Sequence, residues 1–459
     1  MKMTIGEIAK AVNASTTDLS TEVLNTEITN VSFDTRQLLP GALFVPLSGE
    51  NDGHDYIQNA IENGATATFW DKRRKNDLPL EIPALLVNNP LEALQELSKY
   101  YLKKINPKVV AITGSNGKTT TKDMVAAILS NEFNVTKTKD NFNNEIGVPF
   151  TVLQMEPNTE CLVVELGMDR PGQLDFLSKL VEPDFTIITM IGEAHIEFFG
   201  TRDKIADAKM EITNGLKDDG YFIYNGDEPL LVERAKDLDN FEKTFGLGTQ
   251  NDIYPIDIVS QGSKTTFKTN LWDEEFTIPL MGDYNVSNAL AAILVGSLFR
   301  LHPHLIAGAL KKFDLTKNRT EWLVGNHNEK ILSDVYNSNP TAVKEVLQTF
   351  KKVPTNNHRI AVLGDMLELG AHSKEMHEQL ADYLNPEEFD EIYLIGNDMK
   401  NLNAILINKF SPDKVHYYED GELDQLSHDL QANLTGDDIV LLKASHGIHL
   451  EKVINNLTE

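Results

Sequence analysis

Apolar positions along the 459-residue chain recur at two periods, and their alternation lays out the architecture before any chemistry is considered. Ile5, Ile8, Ala9 and Val12 repeat at helical spacing and predict an opening amphipathic helix. Ala42-Leu43-Phe44-Val45 and Thr66-Ala67-Thr68-Phe69-Trp70 predict buried strands, with a helix over Tyr56 to Glu62 between them. Residues 1–85 therefore read as a small α/β domain, and the helical stretch that follows Pro90 makes 86–105 a connecting helix and linker.

From 106 to 315 strands and helices alternate as they do in a parallel sheet covered on both faces. Strands are predicted at Lys108 to Thr113, Cys161 to Val164 and Phe185 to Ile191, and a helix from Asp203 to Leu216. The polar run Gly282-Asp283-Tyr284-Asn285-Val286-Ser287-Asn288 reads as a cap on the small-residue helix Ala289 to Val295. Residues 316–459 repeat the alternation, with strands at Lys330 to Ser333, Arg359 to Leu363, Glu391 to Ile395 and Asp438 to Leu442. The expected fold class is α/β in three domains: a small N-terminal domain, a central P-loop-type domain on a parallel sheet, and a C-terminal Rossmann-like domain.

Composition narrows the function. A formal net charge of -27 opposes general affinity for nucleic acid or an anionic membrane, so an anionic ligand has to be held by local devices. Cys161 is the sole cysteine, in an apolar run, which excludes an intrachain disulfide and predicts a buried thiol. The N-terminus lacks an apolar signal core and no run of 18 apolar residues occurs, so a cytoplasmic protein without membrane insertion is expected. A monomer is the expected state, although nothing in the sequence bears on it.

Those devices begin at Gly114-Ser115-Asn116-Gly117-Lys118-Thr119-Thr120, where the strand from Lys108 breaks into a glycine turn and reopens as a helix carrying Val125, Ile128 and Leu129. Backbone N–H groups and a helix N-terminus can then face a phosphate, Lys118 adds charge, and the Thr119 hydroxyl can ligate magnesium. The loop is shorter than the general G-x-x-x-x-G-K-[ST] pattern, because Ile112 stands where the first glycine would be. Parallel sheets gather ligands at the carboxyl ends of their strands. Glu165 ends one predicted strand and His195 lies just past another, which would bring a carboxylate and an imidazole close to Thr119. Alone, each is more often a strand end than a ligand, and a lone helical Lys209 is nearly always solvated charge.

Several clusters taken together resemble the Mur ligase family, ATP-dependent enzymes that join amino acids to the peptide of the bacterial cell-wall precursor. They are the loop, Asn141-Phe142-Asn143-Asn144-Glu145-Ile146-Gly147-Val148-Pro149, Glu165-Leu166-Gly167, Ala194-His195, Ala208-Lys209 and Asn285-Val286-Ser287-Asn288-Ala289-Leu290. Within the family, Asp334-Val335-Tyr336-Asn337-Ser338-Asn339-Pro340 and Gly364-Asp365-Met366-Leu367-Glu368-Leu369-Gly370 resemble the member that adds D-alanyl-D-alanine to UDP-N-acetylmuramoyl tripeptide. Ala444 in Lys443-Ala444-Ser445-His446, and Asn318 before Arg319, depart from the pattern where glycine is usual.

The resemblance implies ATP and Mg2+ as cofactors. It places the ATP phosphates on Lys118 and the amides of Gly114 to Thr120, adenine on Asn288, and the phosphates and ribose also on Arg319 and Asp334 of the last domain. Thr119 and Glu165 would ligate one magnesium and His195 would help hold a second metal. Lys209 matches a lysine that the family carbamylates into a carboxylate-like ligand. Lys118, His195, Lys209 and Arg319 form the implied catalytic set. Thr35, Arg36, Gly49, Glu50 and Asn51 fall where the family binds the UDP end, and Asn141 and Asn144 would line the muramoyl-peptide path.

The implied reaction phosphorylates the terminal carboxylate of the tripeptide and lets the amine of D-alanyl-D-alanine attack the acyl phosphate. A sister ligase adding a diamino acid to the dipeptide is the nearest alternative. A folylpolyglutamate-synthase-like enzyme would leave residues 1–85 without a task, and an ATP-switched binding protein would carry no ligase chemistry.

Overall fold

The computed structural model describes residues 1–15, 19–79, 81–317 and 319–458, so Asn318 lies outside the described residues. Two compact units emerge: Met1–Thr113, Leu129–Thr186 and Glu211–Phe222 form the first, and Gly114–Ile128, Ile187–Met210 and Ile223–Glu459 the second.

In the first unit β1 (Met3–Thr4) pairs antiparallel with β2 (Glu27–Ile28). The helix Ile5–Ala11 starts where the Thr4 hydroxyl accepts the Glu7 N–H and the Glu7 carboxylate accepts the Thr4 N–H, which satisfies two otherwise orphaned donors. Four parallel strands follow in the order β3 (Asn30–Ser32), β4 (Ala42–Phe44), β5 (Ala65–Asp71) and β6 (Ala84–Val87). Asn89 then caps the helix Pro90–Ile105, whose first position is a proline with no N–H to lose. That helix is longer than the predicted apolar stretch and ends at Asn106 in the left-handed conformation.

The central sheet has six strands in the order β12-β11-β10-β7-β9-β8, with β7 at Lys108–Thr113, β8 at Val135–Lys137, β9 at Cys161–Glu165, β10 at Phe185–Ile188, β11 at Tyr221–Asn225 and β12 at Phe241–Phe245. β7 and β9 are parallel, with Ile112 opposite Glu165, and both are buried apart from Lys108. Cys161 is buried there, and burial pushes its thiol up to about 12. Two predicted elements are shorter than their sequence pattern. β10 stops at Ile188 instead of Ile191, and the helix expected to reach Leu216 ends at Met210 and continues as a 3-10 turn over Glu211–Gly215. Glu211 is held there by the N–H groups of Gly172 and Asp175, and Ser178 bonds the Ile212 carbonyl.

In the second unit an antiparallel sheet of β13 (Pro255–Gln261), β14 (Lys264–Thr269) and β15 (Phe276–Ile278) was not predicted. Its outer strand is exposed along nearly its whole length, so no buried alternation marks it. The helix Asp283–Leu298 begins inside the polar run predicted to cap it: Gly282 is the cap and makes no side-chain bond. Asn285 and Asn288 instead turn inward, to the Met281 carbonyl and to each other.

The last sheet runs β16 (Glu321–Val324), β17 (Lys330–Asp334), β21 (Ile439–Lys443), β18 (Arg359–Gly364), β19 (Glu391–Ile395) and β20 (Val415–Tyr418). It is not wholly parallel as expected, because β16 is an antiparallel edge strand on β17. β20 also escaped the pattern, since its middle residues are half exposed.

Glu391 starts β19 between His416, Lys414 and the Tyr393 hydroxyl, and these, His416 first, hold its carboxyl down at about 2. A depressed carboxylate adds stability that is full above its unfolded value and is lost as pH falls through the folded one. Thermal melts should therefore show Glu391→Gln costing roughly 1–2 kcal/mol at pH 7, after allowance for solvent screening, and almost nothing near pH 2. A difference independent of pH over that range would contradict this.

Candidate active site

The glycine loop joins the end of β7 to the helix Lys118–Leu129. Gly117 adopts φ +81°, and a Cβ there would collide with the Asn288 carboxamide; a Cβ on Gly114 would collide with the Thr189 hydroxyl. Both positions need glycine because neighbouring side chains press on the loop from within the protein. Thr189 donates to the Asn116 carbonyl at 2.5 Å, and the Ser115 hydroxyl bridges the backbone of Gly192, accepting its N–H at 2.9 Å. The Ser115 N–H goes to the Met190 carbonyl. Ser115 therefore shapes the loop with both of its donors. Lys118 bends back to the Gly114 carbonyl at 2.8 Å, Thr119 is buried, and Thr120 is half-buried.

Around the loop the second unit gathers four more of the predicted residues. Lys209 is 2% exposed, and burial first and Lys118 second drive its pKa well below the ordinary lysine value, so the Lys118 charge is felt at the Lys209 amine. Asn288 is buried against Gly117. Arg319 lays its guanidinium 4.0 Å from the centre of the Tyr336 ring, and Tyr336 stacks in turn on His446. Its Nε–H is buried without a partner among the described residues, an orphaned donor that suits an anion. Asp334 ends β17 and accepts from the buried Lys443 ammonium at 2.5 Å, which also reaches the Asn337 carbonyl.

His195 departs from its expected company. It sits at φ +64° and its Nδ1 meets Glu368 at 2.5 Å, a bond that lowers the Glu368 pKa. The Glu197 N–H donates to the Glu368 carbonyl. Asn116 and Asn339 exchange carboxamide hydrogen bonds at 2.7 and 3.2 Å, and Asn339 caps the helix Pro340–Phe350 by accepting the Ala342 N–H. Glu193 accepts both the N–H and the hydroxyl of Thr341 in the first turn of that helix. Sequence reasoning missed Glu193, Asn339, Glu368 and Lys443 as partners. Each lies in or beside a quoted cluster, but its contact is with residues far away in the chain.

A cavity of about 690 Å³ opens from Asn116 and Gly117, lined by Tyr284, Asn288, Glu345 and Thr349 among others. Its size and mixed lining suit a nucleotide.

The remaining predicted residues lie in the first unit. Glu165 is buried at the end of β9, where it accepts from the Asn143 carboxamide at 2.8 Å and its N–H donates to Thr138. Asn143, in the same polar run as Asn141 and Asn144, thereby orients this carboxylate. Asn144 caps the helix Gly147–Leu153 by accepting the N–H groups of Ile146 and Gly147, while Asn141 is exposed. Thr35, Arg36, Gly49, Glu50 and Asn51 occupy the loops that leave the carboxyl ends of the adjacent parallel strands β3 and β4. Arg36 is exposed and paired with Asp34 at 2.8 Å. Phe33 packs edge-on against Phe142 and Phe150, which brings the Thr35 and Asn141 segments together.

Profiles of three Mur ligase domains match successive parts of the chain: the Mur ligase family catalytic domain over residues 27–102, the Mur ligase middle domain over 112–296, and the Mur ligase glutamate ligase domain over 318–446. The chain belongs to the Mur ligase family. Among this family, the UDP-N-acetylmuramoyl-tripeptide--D-alanyl-D-alanine ligase of Bacillus subtilis is 40% identical over 100% of this chain and 99% of its own length. The Escherichia coli protein of that name is 32% identical over 82% of this chain and 84% of its own. In structure the Mur ligase fold is shared with MurF from Acinetobacter baumannii, at TM-score 0.86, 26% identity and 100% and 99% coverage of the two chains. MurF from Thermotoga maritima in complex with ADP matches at TM-score 0.80 and 27% identity, covering 93% and 96%. As a Mur ligase the chain uses ATP.

Gly117→Ala should weaken ADP binding by at least about 100-fold in calorimetry, because the added methyl meets the Asn288 amide at a positive φ. Binding of the UDP-linked substrate should change little. Undiminished ADP affinity would remove this loop from the site.

Proposed function

We propose that this enzyme adds D-alanyl-D-alanine to UDP-N-acetylmuramoyl-tripeptide, completing the pentapeptide precursor of peptidoglycan. One observation carries the reading: the glycine loop opens onto a nucleotide-sized cavity in a chain that matches curated D-alanyl-D-alanine ligases along its entire length.

A carboxylate and an amine do not condense in water, because hydroxide leaves poorly. The terminal carboxylate of the tripeptide therefore attacks the γ-phosphoryl group of ATP in line, releasing ADP and leaving an acyl phosphate. The amine of the dipeptide attacks that carbonyl, phosphate departs, the amine proton is lost and a peptide bond remains.

Within this scheme Lys118 exchanges the Gly114 carbonyl for phosphate oxygens, and the loop amides and the helix N-terminus behind it receive the remaining charge. Arg319, already flattened on Tyr336, offers its orphaned Nε–H to the same polyanion. Asp334 addresses the ribose from its seat on Lys443, and Asn288 faces the nucleoside.

Magnesium, when bound, screens the phosphates and polarises the group being transferred. Oxygen donors suit it: the Thr119 hydroxyl and the Glu165 carboxylate, the latter held by Asn143. Among the described residues no three His, Cys, Asp or Glu side chains gather as a ready site. His195 would exchange Glu368 for a second ion. Burial lowers the Lys209 pKa well below the ordinary lysine value and so favours the nucleophilic free amine, which can add carbon dioxide and lose a proton, giving a carbamate that turns repulsion from Lys118 into attraction.

Residues 1–85 hold the UDP end through Thr35, Arg36, Gly49, Glu50 and Asn51, and Asn141 and Asn144 flank the peptide path. Residues 86–105 connect to the ATP domain at 106–315, and 316–459 form the domain that closes on it and excludes water from the acyl phosphate. No described helix is long and apolar enough to cross a membrane. We propose a cytoplasmic monomer, where the UDP-linked substrate and ATP are both at hand.

Phosphate release measured with ATP, UDP-muramoyl tripeptide and D-alanyl-D-alanine, omitting each in turn, should need all three; release without the dipeptide would point to an ATP-switched binder. Lys118→Ala should bind the UDP substrate as the parent does and lose turnover, and retention of more than about a few per cent of activity would exclude the loop from catalysis. With 13C-bicarbonate a carbamate carbon should be seen by NMR near neutral pH and be missing in Lys209→Arg; an unchanged signal in that variant would place it elsewhere.

A further inference from the structure

The nucleotide cavity carries a carboxyl group that the reaction above does not use. Glu345 sits on the helix Pro340–Phe350 and lines the cavity with Gly117, Tyr284, Asn288 and Thr349. Its backbone carbonyl accepts the Thr349 hydroxyl at 2.9 Å. Among the described residues its carboxyl oxygens have no hydrogen-bond donor and no cation at ion-pair distance. Such an acid is out of place beside a polyanion unless it carries a proton.

Its surroundings favour the proton. The charged and titratable groups facing it are Lys443 on β21, Glu193 in the loop after β10, and Tyr284 on the helix Asp283–Leu298, with Asp334 beyond the tyrosine. Burial is the largest influence, Lys443 opposes it and Glu193 reinforces it, so the carboxyl is pushed up to about 7.

Its position along the cavity points to the base. The helix begins at the loop, where Asn339 pairs with Asn116, and the cavity follows it as far as Pro354. Glu345 lies six residues beyond Asn339, roughly 9 Å along the axis at about 1.5 Å per residue. That distance separates the inner phosphates of an extended nucleotide from its base.

We propose that Glu345 reads adenine as a neutral acid, its O–H donating to a ring nitrogen while its carbonyl oxygen accepts from the 6-amino group. The inference rests on the assignment of this cavity to ATP. Adenine presents an acceptor nitrogen beside an amino donor. A protonated carboxyl matches that pair, whereas a carboxylate only accepts and repels the ring nitrogen. ATP affinity should therefore fall as pH rises through about 7, where the acid form gives way to the ionised one.

The test is the KM for ATP of the full-length enzyme and its Glu345→Gln and Glu345→Ala variants, from about pH 6.5 to 8.5, with saturating magnesium and both other substrates. At the acidic end Glu345→Ala should raise KM about tenfold with kcat nearly unchanged, while Glu345→Gln, which keeps a donor and an acceptor, stays near the parent. The ratio of parent KM to Glu345→Gln KM should grow with pH, and the comparison cancels the ionisation of ATP itself. With purine riboside triphosphate, which lacks the 6-amino group, the alanine penalty should shrink.

An alanine variant with unchanged KM, a glutamine variant as impaired as alanine, or a ratio flat with pH would each overturn the proposal. Failure of the underlying assignment looks different: Gly117→Ala and Lys118→Ala would then stay active, whatever Glu345 does. Melting temperatures at each pH identify variants that fail to fold, and Glu345→Asp then serves in place of alanine, expected to raise KM by withdrawing the carboxyl from the base; an aspartate variant matching the parent would count against the proposal.

Discussion

A triphosphate has to be held by a protein whose own formal net charge is -27, and that electrostatic conflict is the constraint from which the site follows. In the proposed reading the chain meets it with short-range devices: backbone N–H groups at a helix start, Lys118, and Arg319, whose buried Nε–H has no partner among the described residues. Such devices work only at contact distance, so the loop backbone has to be bare. Gly114 and Gly117 provide that, and Thr189 and Asn288 pack so tightly behind them that no other residue fits.

The same loop is stitched to the C-terminal domain. The Asn116–Asn339 amide pair and the Glu193 carboxylate on Thr341 both address the first turn of the helix Pro340–Phe350, and His195 meets Glu368 on another segment of that domain. The helix that is anchored at the loop also presents Glu345 to the cavity. One helix thus reaches from the loop to the Glu345 position along the cavity. Lys209 adds a second buried amine: burial first and Lys118 second lower its pKa well below the ordinary lysine value.

The strand-loop-helix was legible because three local signals agree there: an apolar run, a glycine turn and a helical period. The parallel sheets were legible for the same reason. Contacts set by tertiary pairing were not. The partner of Asn116 lies 223 residues away, and nothing local distinguishes an asparagine that pairs from one that caps, as Asn144 does. Ser115 looks like a phosphate ligand in sequence, yet its hydroxyl is engaged by Gly192. The β13 to β15 sheet left no pattern because its outer strand buries almost nothing, and the polar run at Asp283–Asn288 mimicked a cap while forming the helix itself. Ala444 stands where the family usually has glycine, and Gly364 faces it with no side chain of its own, so the space is shared differently.

The central claim is that this loop and the helix beyond it hold the nucleotide together. Hydrogen exchange with and without magnesium-ADP tests it most directly. Protection should appear over the amides of Gly114 to Thr121 and over the helix Pro340–Phe350 at the same ligand concentration. Protection confined to other segments, with the loop exchanging as fast as before, would contradict the account.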